Sequence, residues 1–143
     1  MKTLRIALGS NDNVNIVLDH MGESKNFLIY DLFEDGRFEF VEKRENTSGE
    51  SIKHGDKEKM QKAMMMFADS DIVMARELSP NYIRMRDNSK FQPVLTHMDS
   101  IEGSMAEMGA SFDEICGLVE RRKRGERMKI IPKIGKKTRC AKL

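Results

Sequence analysis

Two apolar runs joined by an Asp-Gly turn constrain this chain more than any other feature. Residues 27–33 read FLIYDLF, an aromatic and aliphatic run, and residues 37–43 read RFEFVEK, which sets Phe38 and Phe40 against Glu39 and Val41. Between them stands Glu34-Asp35-Gly36. Strand, Asp-Gly turn and strand in that order predict a tight β-hairpin. Ahead of it, residues 4–8 (LRIAL) form a short apolar run that reads as a buried strand. The loop from Ser10 to Asn26 is polar apart from Ile16, Val17 and Leu18, read as a minor strand.

Beyond the hairpin the period changes. Residues 45–55 are polar and turn-rich, ending in His54-Gly55. From Asp56, a helix N-cap by type, Met60, Ala63, Met64, Phe67 and Ala68 recur at the spacing of one helical face. A strand follows at 71–75, and Ser79-Pro80 then predicts a helix start, serine capping and proline at the first helical position. Residues 91–96 read as a strand, with Pro93 arguing for an edge position. Asp99 with Glu102 and Ser111 with Glu114 look like two capping boxes, predicting helices over 100–108 and 112–124 that part at Gly109. The succession predicts one α/β domain, a mixed central sheet flanked by helices. The loops after residues 8 and 75 then lie at strand C-terminal ends, where ligands gather in such sheets.

Charge divides the chain. Residues 121–143 hold eleven Lys or Arg and one acid, so this segment carries +10 and the preceding 120 residues carry −8. We therefore expect an acidic body over residues 1–124 and a basic, flexible extension over 125–143. Such an extension suits nucleic-acid phosphates, although it lacks aromatic residues for base stacking; an acidic partner, or the acidic body itself, suits it equally. No apolar run approaches the ~18 residues of a membrane span, and the N-terminus lacks a signal-peptide apolar segment, so a cytoplasmic protein is expected. Cys116 and Cys140 form no CxxC, which argues against a structural zinc site. Cys116 shares a helical face with Phe112, Ile115 and Val119 and reads as a buried thiol. Walker A, GxGxxG, HExxH and GxSxG sequences are absent, which counts against the enzyme classes they mark.

Three histidines remain, each in or beside a loop: His20, His54 and His97. His20 stands in Asp19-His20-Met21-Gly22, pairing an imidazole with a thioether, donors suited to iron, copper or a sulfide cluster. Asp19 is placed to orient the ring. The plainer reading of the same four residues is a surface histidine beside a buried methionine and a turn glycine with positive φ. His54 precedes a helix N-terminus, which favours anions. His97-Met98 repeats the His-Met pairing and reads as coincidence among twelve methionines. Most of those methionines read as core filler, with Met65 and Met66 off the apolar face.

Asp19 to Ser24, followed at short spacing by Phe27-Leu28-Ile29-Tyr30-Asp31 and the Asp35-Gly36 turn, resembles the dinitrogenase iron–molybdenum cofactor biosynthesis family, which carries a His-Phe-Gly element before a Phe-Leu-Ile strand. The resemblance continues through His54-Gly55-Asp56 and Asp69-Ser70-Asp71-Ile72-Val73-Met74-Ala75-Arg76-Glu77, spanning about residues 1–108. It implies a ribonuclease-H-like fold and a non-catalytic protein that binds or hands on iron–sulfur or iron–molybdenum cofactor precursors. Its partners would then be metallocluster assembly proteins or an acceptor apo-protein. By the same resemblance His20 is the candidate metal ligand. Two departures stand out: Met21 replaces the usual Phe, and Ser70 stands where relatives often carry Cys.

Around His20 we expect Met21 and Gly22 to shape the loop, and Ser10, Asn11 and Asp12 to line the same crevice. Arg76 and Glu77 are expected opposite, with Arg76 a fixed cation for an anionic cluster. A nuclease is excluded, because that chemistry needs an acid in the first strand and Leu4 to Leu8 contains none. The competing reading is a cofactor-free regulatory or scaffolding module, acting through protein contacts or the basic extension.

Overall fold

The structure is a computed structural model and describes residues 1–18, 21–47 and 56–135. The expected hairpin forms from β2 (Asn26–Phe33) and β3 (Phe38–Glu45), turning at Gly36 with φ +93°. It lies antiparallel to β1 (Thr3–Ser10). Chain order then runs α1 (Asp56–Met66), β4 (Ile72–Ala75), α2 (Pro80–Asn88), β5 (Gln92–Thr96), α3 (Ile101–Ala110), α4 (Phe112–Lys123) and β6 (Lys133–Ile134). The six strands make one mixed sheet in the order β3-β2-β1-β4-β5-β6, with β1, β4, β5 and β6 mutually parallel.

Side-chain alternation along β1 assigns the two faces. Leu4, Ile6 and Leu8 pack with Met105, Met108, Phe112, Ile115 and Val119 of α3 and α4. Ala7 faces the other way, into a core built from Phe27, Ile29, Val73, Met60, Ala63, Phe67, Tyr82 and Met85. Helices therefore cover both faces, and the sheet is the middle of three layers. Of the apolar face foreseen for α1, Met60, Ala63 and Phe67 are buried and Met64 half-buried, while Ala68 falls past the helix end and is exposed. Met65 is exposed, as its position off that face requires.

Several local expectations are corrected. Ile16 to Leu18 form no strand. Asn15 makes a single bridge to Ser100, and the Ile16 N–H donates to the Asp99 carbonyl (2.8 Å), so this stretch is a loop tied to its neighbour. The cap of α3 is Ser100, whose hydroxyl accepts from the Gly103 N–H (3.0 Å), one residue later than the Asp99 box predicts. Ser111 precedes α4 without a side-chain cap bond. The helices part at Ser111 and Gly109 stays inside α3. A Cβ there would meet the Gly36 carbonyl oxygen at 2.9 Å, so glycine is needed where the hairpin turn abuts the helix.

Pro93 sits in β5 between β4 and β6 yet disturbs nothing. Leu95 donates to Pro132 O and His97 to Ile134 O. The nitrogen of residue 93 points to that same side, before β6 begins, where no ladder bond is due. Residues 126–135, read from sequence as the start of a flexible extension, instead run back along the sheet, bury Met128 and Ile134, and supply β6. Residues 136–143 lie outside the described part.

Ser70, at the turn before β4, is 1% exposed, and its hydroxyl has no hydrogen-bond partner among the described residues. An unsatisfied buried hydroxyl costs about 1–3 kcal/mol. Ser70→Ala is therefore expected to raise stability by about 1 kcal/mol in a denaturant titration, and Ser70→Cys, which exchanges the hydroxyl for a weakly hydrogen-bonding thiol, to do likewise. A lower unfolding midpoint in both variants would contradict this.

Candidate functional site

Parallel pairing brings the C-terminal ends of β1, β4 and β5 to one edge of the sheet. The three loops leaving those ends are tied together there. Besides the Ile16–Asp99 bond, the Ile101 N–H donates to Val14 O (2.9 Å), joining the β1 loop to the β5 loop. Arg76, immediately after β4, pairs with Asp99 across 2.6 Å, which joins the β4 loop to them. Arg76 keeps a quarter of its side chain exposed. Its counter-ion is thus Asp99 rather than the adjacent Glu77.

Between these loops opens a cleft of about 450 Å³. Arg76, Glu77 and Leu78 line it from the β4 side; Leu95, Thr96 and His97 from the end of β5; Leu18 from the β1 loop; and Lys133 from β6. Thr96 is buried at its floor, exchanging a hydrogen bond with Ser104 (3.0 Å) and accepting from the Met98 N–H. Leu18 and Leu78 are about half exposed at its mouth. The cleft lies at the strand C-termini with Arg76 and Glu77 in its wall. Ser10, Asn11 and Asp12, expected to line the crevice, do not line this cleft, because Ser10 and Asp12 bond within their own loop and Asn11 bonds to Lys25. His97 and Lys133 were missed. His97 looked like coincidence, and Lys133 lay in a segment without periodicity, so neither carried a signal until β6 paired with β5.

Ser10 and Asp12 build the β1 loop. The Ser10 hydroxyl, fully buried, donates to Asn15 O (2.7 Å) and accepts from the Asn13 N–H (2.9 Å). Asp12 accepts from the N–H groups of Val14 and Asn15 and from the Asn15 amide. Those bonds pull its carboxyl down to about 2, the Asn15 N–H contributing most. The arrangement leaves Asn13 at φ +65°, a conformation Asn tolerates. Asn11 turns to the other side and accepts from the Lys25 N–H.

Met21 and Gly22 begin a short 3-10 turn, Met21–Glu23, and both are buried. Met21 belongs to the core under α1 and borders a second cleft, of about 170 Å³, beside Ser79, Pro80 and Tyr82. Gly22 thus stands in a turn of negative φ rather than at a positive-φ corner. Two side chains fix this turn, that of Asn46, which follows β3, and that of Ser24, which follows the turn itself. The Asn46 amide donates to Gly22 O (2.9 Å) and Ser24 O (2.7 Å), and the Ser24 hydroxyl donates to Met21 O (2.8 Å). Gly9 permits the approach, since a Cβ there would stand 2.6 Å from the Ser24 oxygen. Asp19, His20 and His54 lie outside the described residues. The residues flanking Asp19 and His20 line different clefts, Leu18 the larger and Met21 the smaller.

Among the described residues, no three or more His, Cys, Asp or Glu side chains gather to hold a metal ion. No described helix is long and apolar enough to cross a membrane. Cys116 lies on the buried face of α4, where burial pushes its thiol up. Two cations of the basic segment pair with carboxylates of the body, Lys123 with Asp71 (3.2 Å) and Lys129 with Asp87 (3.0 Å), while Arg121 and Arg124 pair with Glu126 within the segment. A search of curated proteins and a search of solved structures each found no match. The family described as dinitrogenase iron-molybdenum cofactor matches residues 2–111, from β1 through α3, and so covers the Asp19-to-Ser24 element, the hairpin, and the β4 and β5 loops that wall the cleft. On that match the chain belongs to the dinitrogenase iron-molybdenum cofactor family.

Proposed function

We propose that this protein binds and carries an iron–sulfur or iron–molybdenum cofactor precursor during metallocluster assembly, without catalysing a reaction on it. The observation that carries the reading is the cleft: in a chain of this family, it opens at the ends of the parallel strands, holds the Arg76 guanidinium in place through Asp99, and begins two residues before His20. Thiometallates and iron–sulfur clusters are anionic, and a guanidinium is a permanent cation with directed donors. The metal ligand in this reading is His20, on the resemblance of the Asp19-to-Ser24 element to the family's His-Phe-Gly element, with Asp19 orienting its ring. Met21, Gly22, Ser10 and Asp12 form and anchor the loops around it, and His54 is a second candidate contact. The cargo passes between assembly proteins and an acceptor apo-protein in the cytoplasm. An antiparallel half-sheet followed by parallel strands supports a ribonuclease-H-like classification of the fold.

The test is the iron, molybdenum and sulfide content of protein purified without oxygen, with a visible spectrum, before and after incubation with iron and sulfide. We expect near-stoichiometric metal with charge-transfer absorption in the wild type. In His20→Ala we expect loss of most of it, with unchanged thermal unfolding. Full loading of His20→Ala would remove the ligand assignment, and a colourless wild type that takes up no metal would remove the carrier reading.

A further inference from the structure

The family match ends at residue 111, yet one wall of the cleft comes from residue 133. Residues 126–135 cross back under Arg122, and Leu95 and His97 then donate to Pro132 O and Ile134 O. These two ladder bonds place β6 beside the C-terminal end of β5, in register Leu95 to Lys133 and Thr96 to Ile134. Ile134 is buried in the core, so the neighbouring position, Lys133, is turned out toward the cleft and exposed. Arg76 is paired with Asp99, whereas no carboxylate among the described residues lies within ion-pair distance of Lys133. Glu77 lines the same cleft and opposes it in sign.

We infer that Lys133 is an anion-recognition residue of this cleft, and that the chain's extension beyond the family-matching region completes a subsite for a small tetrahedral dianion, such as a thiometallate. Arg76, held by Asp99, supplies a directed donor on one wall. Lys133, without an ion-pair partner among the described residues, supplies a second cation on the opposite wall, and Thr96 closes the floor between them. A cleft of this volume lies within the usual range for small ligands, ~300–1,000 Å³. The inference rests on the carrier reading for the metal, the sulfur, the tetrahedral shape and the double charge of the ligand, and on the cleft's two cations for its being an anion.

The test is equilibrium binding of tetrathiomolybdate and, separately, of molybdate to the full chain, comparing wild type with Lys133→Gln and Glu77→Gln at two salt concentrations. Both side chains are exposed, and unchanged unfolding curves will show that the variants fold. Lys133→Gln is expected to weaken binding about tenfold at low salt and to flatten its salt dependence. Glu77→Gln is expected to tighten binding several-fold, an opposite sign that loss of packing at this wall would not produce. Tetrathiomolybdate binding indifferent to Lys133→Gln would overturn the inference and leave the carrier reading in place. Lys133-dependent binding of molybdate without tetrathiomolybdate would keep the dianion subsite and count against the carrier reading. Binding of neither anion by the wild type would overturn the inference.

Discussion

Phe67→Ala is expected to destabilise the domain by about 3–5 kcal/mol, the cost of truncating a fully buried aromatic side chain. Phe67 is 0% exposed and stands just past the end of α1. Its ring meets Phe27 of β2 edge-on at 5.1 Å and Phe91, immediately before β5, at 5.5 Å. One side chain therefore joins the hairpin half of the sheet to the parallel half on the α1–α2 face. The edge-to-face pair with Phe27 contributes about 0.5–1.5 kcal/mol beyond area burial, which adds to the cavity term. Against a typical total of ~5–15 kcal/mol, the loss consumes a large share of the stability. Denaturant unfolding should show a much lower midpoint at unchanged slope, and Phe67→Leu should fall in between. A loss below ~1 kcal/mol would mean that this face repacks freely.

The second large effect is expected at Arg122. Its Nε donates to Gln92 Oε1 (2.8 Å), while its terminal nitrogens donate to Ser89 O (3.2 Å), Arg86 O (3.0 Å) and Met128 O (3.5 Å). The acceptors belong to the last turn of α2, the start of β5 and the segment leading to β6. A cation against the last carbonyls of α2 also complements the negative end of that helix. Burial lowers the guanidinium's pKa, the sign of a cation drawn partly out of water. Arg122→Met removes the donors and leaves buried carbonyls and the Gln92 amide oxygen unmatched, at about 2–3 kcal/mol. Lys cannot restore it, because one ammonium on a flexible stem does not span four acceptors. Hydrogen exchange should separate this from a general loss of stability. Amides of Leu95 and His97, which donate to residues 132 and 134, should lose protection first, while those of β1 stay slow. Uniform loss of protection would show that Arg122 serves the whole core rather than the C-terminal segment.

If Arg122 and β6 hold as described, the two large effects divide the molecule functionally. Phe67 supports the scaffold that the family match covers. Arg122 supports the addition that carries Lys133 to the cleft, so Arg122→Met should also weaken anion binding there without touching the cleft directly.

Much of the architecture was legible because its signals are local. The Asp-Gly turn and the Ser79-Pro80 helix start each involve adjacent residues, and the α1 face repeats within three turns. Signals one step less local slipped: the α3 cap moved from Asp99 to Ser100, and the break between α3 and α4 moved from Gly109 to Ser111. In both places neighbouring residues offer equivalent local chemistry, and packing chooses between them. Gly109 was read as a breaker, but it answers to the hairpin turn of another element. Ile16 to Leu18 have the composition of a strand, but the backbone there bonds to Gly9 and Asp99 instead of forming a ladder.

The sequence by itself determined the α/β class, the hairpin, the helices and, through the residues around His20 and Asp69 to Glu77, the family. It also pointed to the strand-end crevice and to Arg76. Tertiary structure alone decided what else faces that crevice. Lys133 belongs to a two-residue strand with no period to detect, and it reaches the cleft only because β5 offers an unpaired edge and Arg122 holds the intervening chain against α2. His97 and Asp99 likewise acquire their neighbours through loops that meet only after the strands have paired. Periodicity encodes which face of an element is buried, since that depends on residues a few positions apart. The lining of a cleft depends on residues as far apart as Leu18 and Lys133, whose proximity the sheet creates.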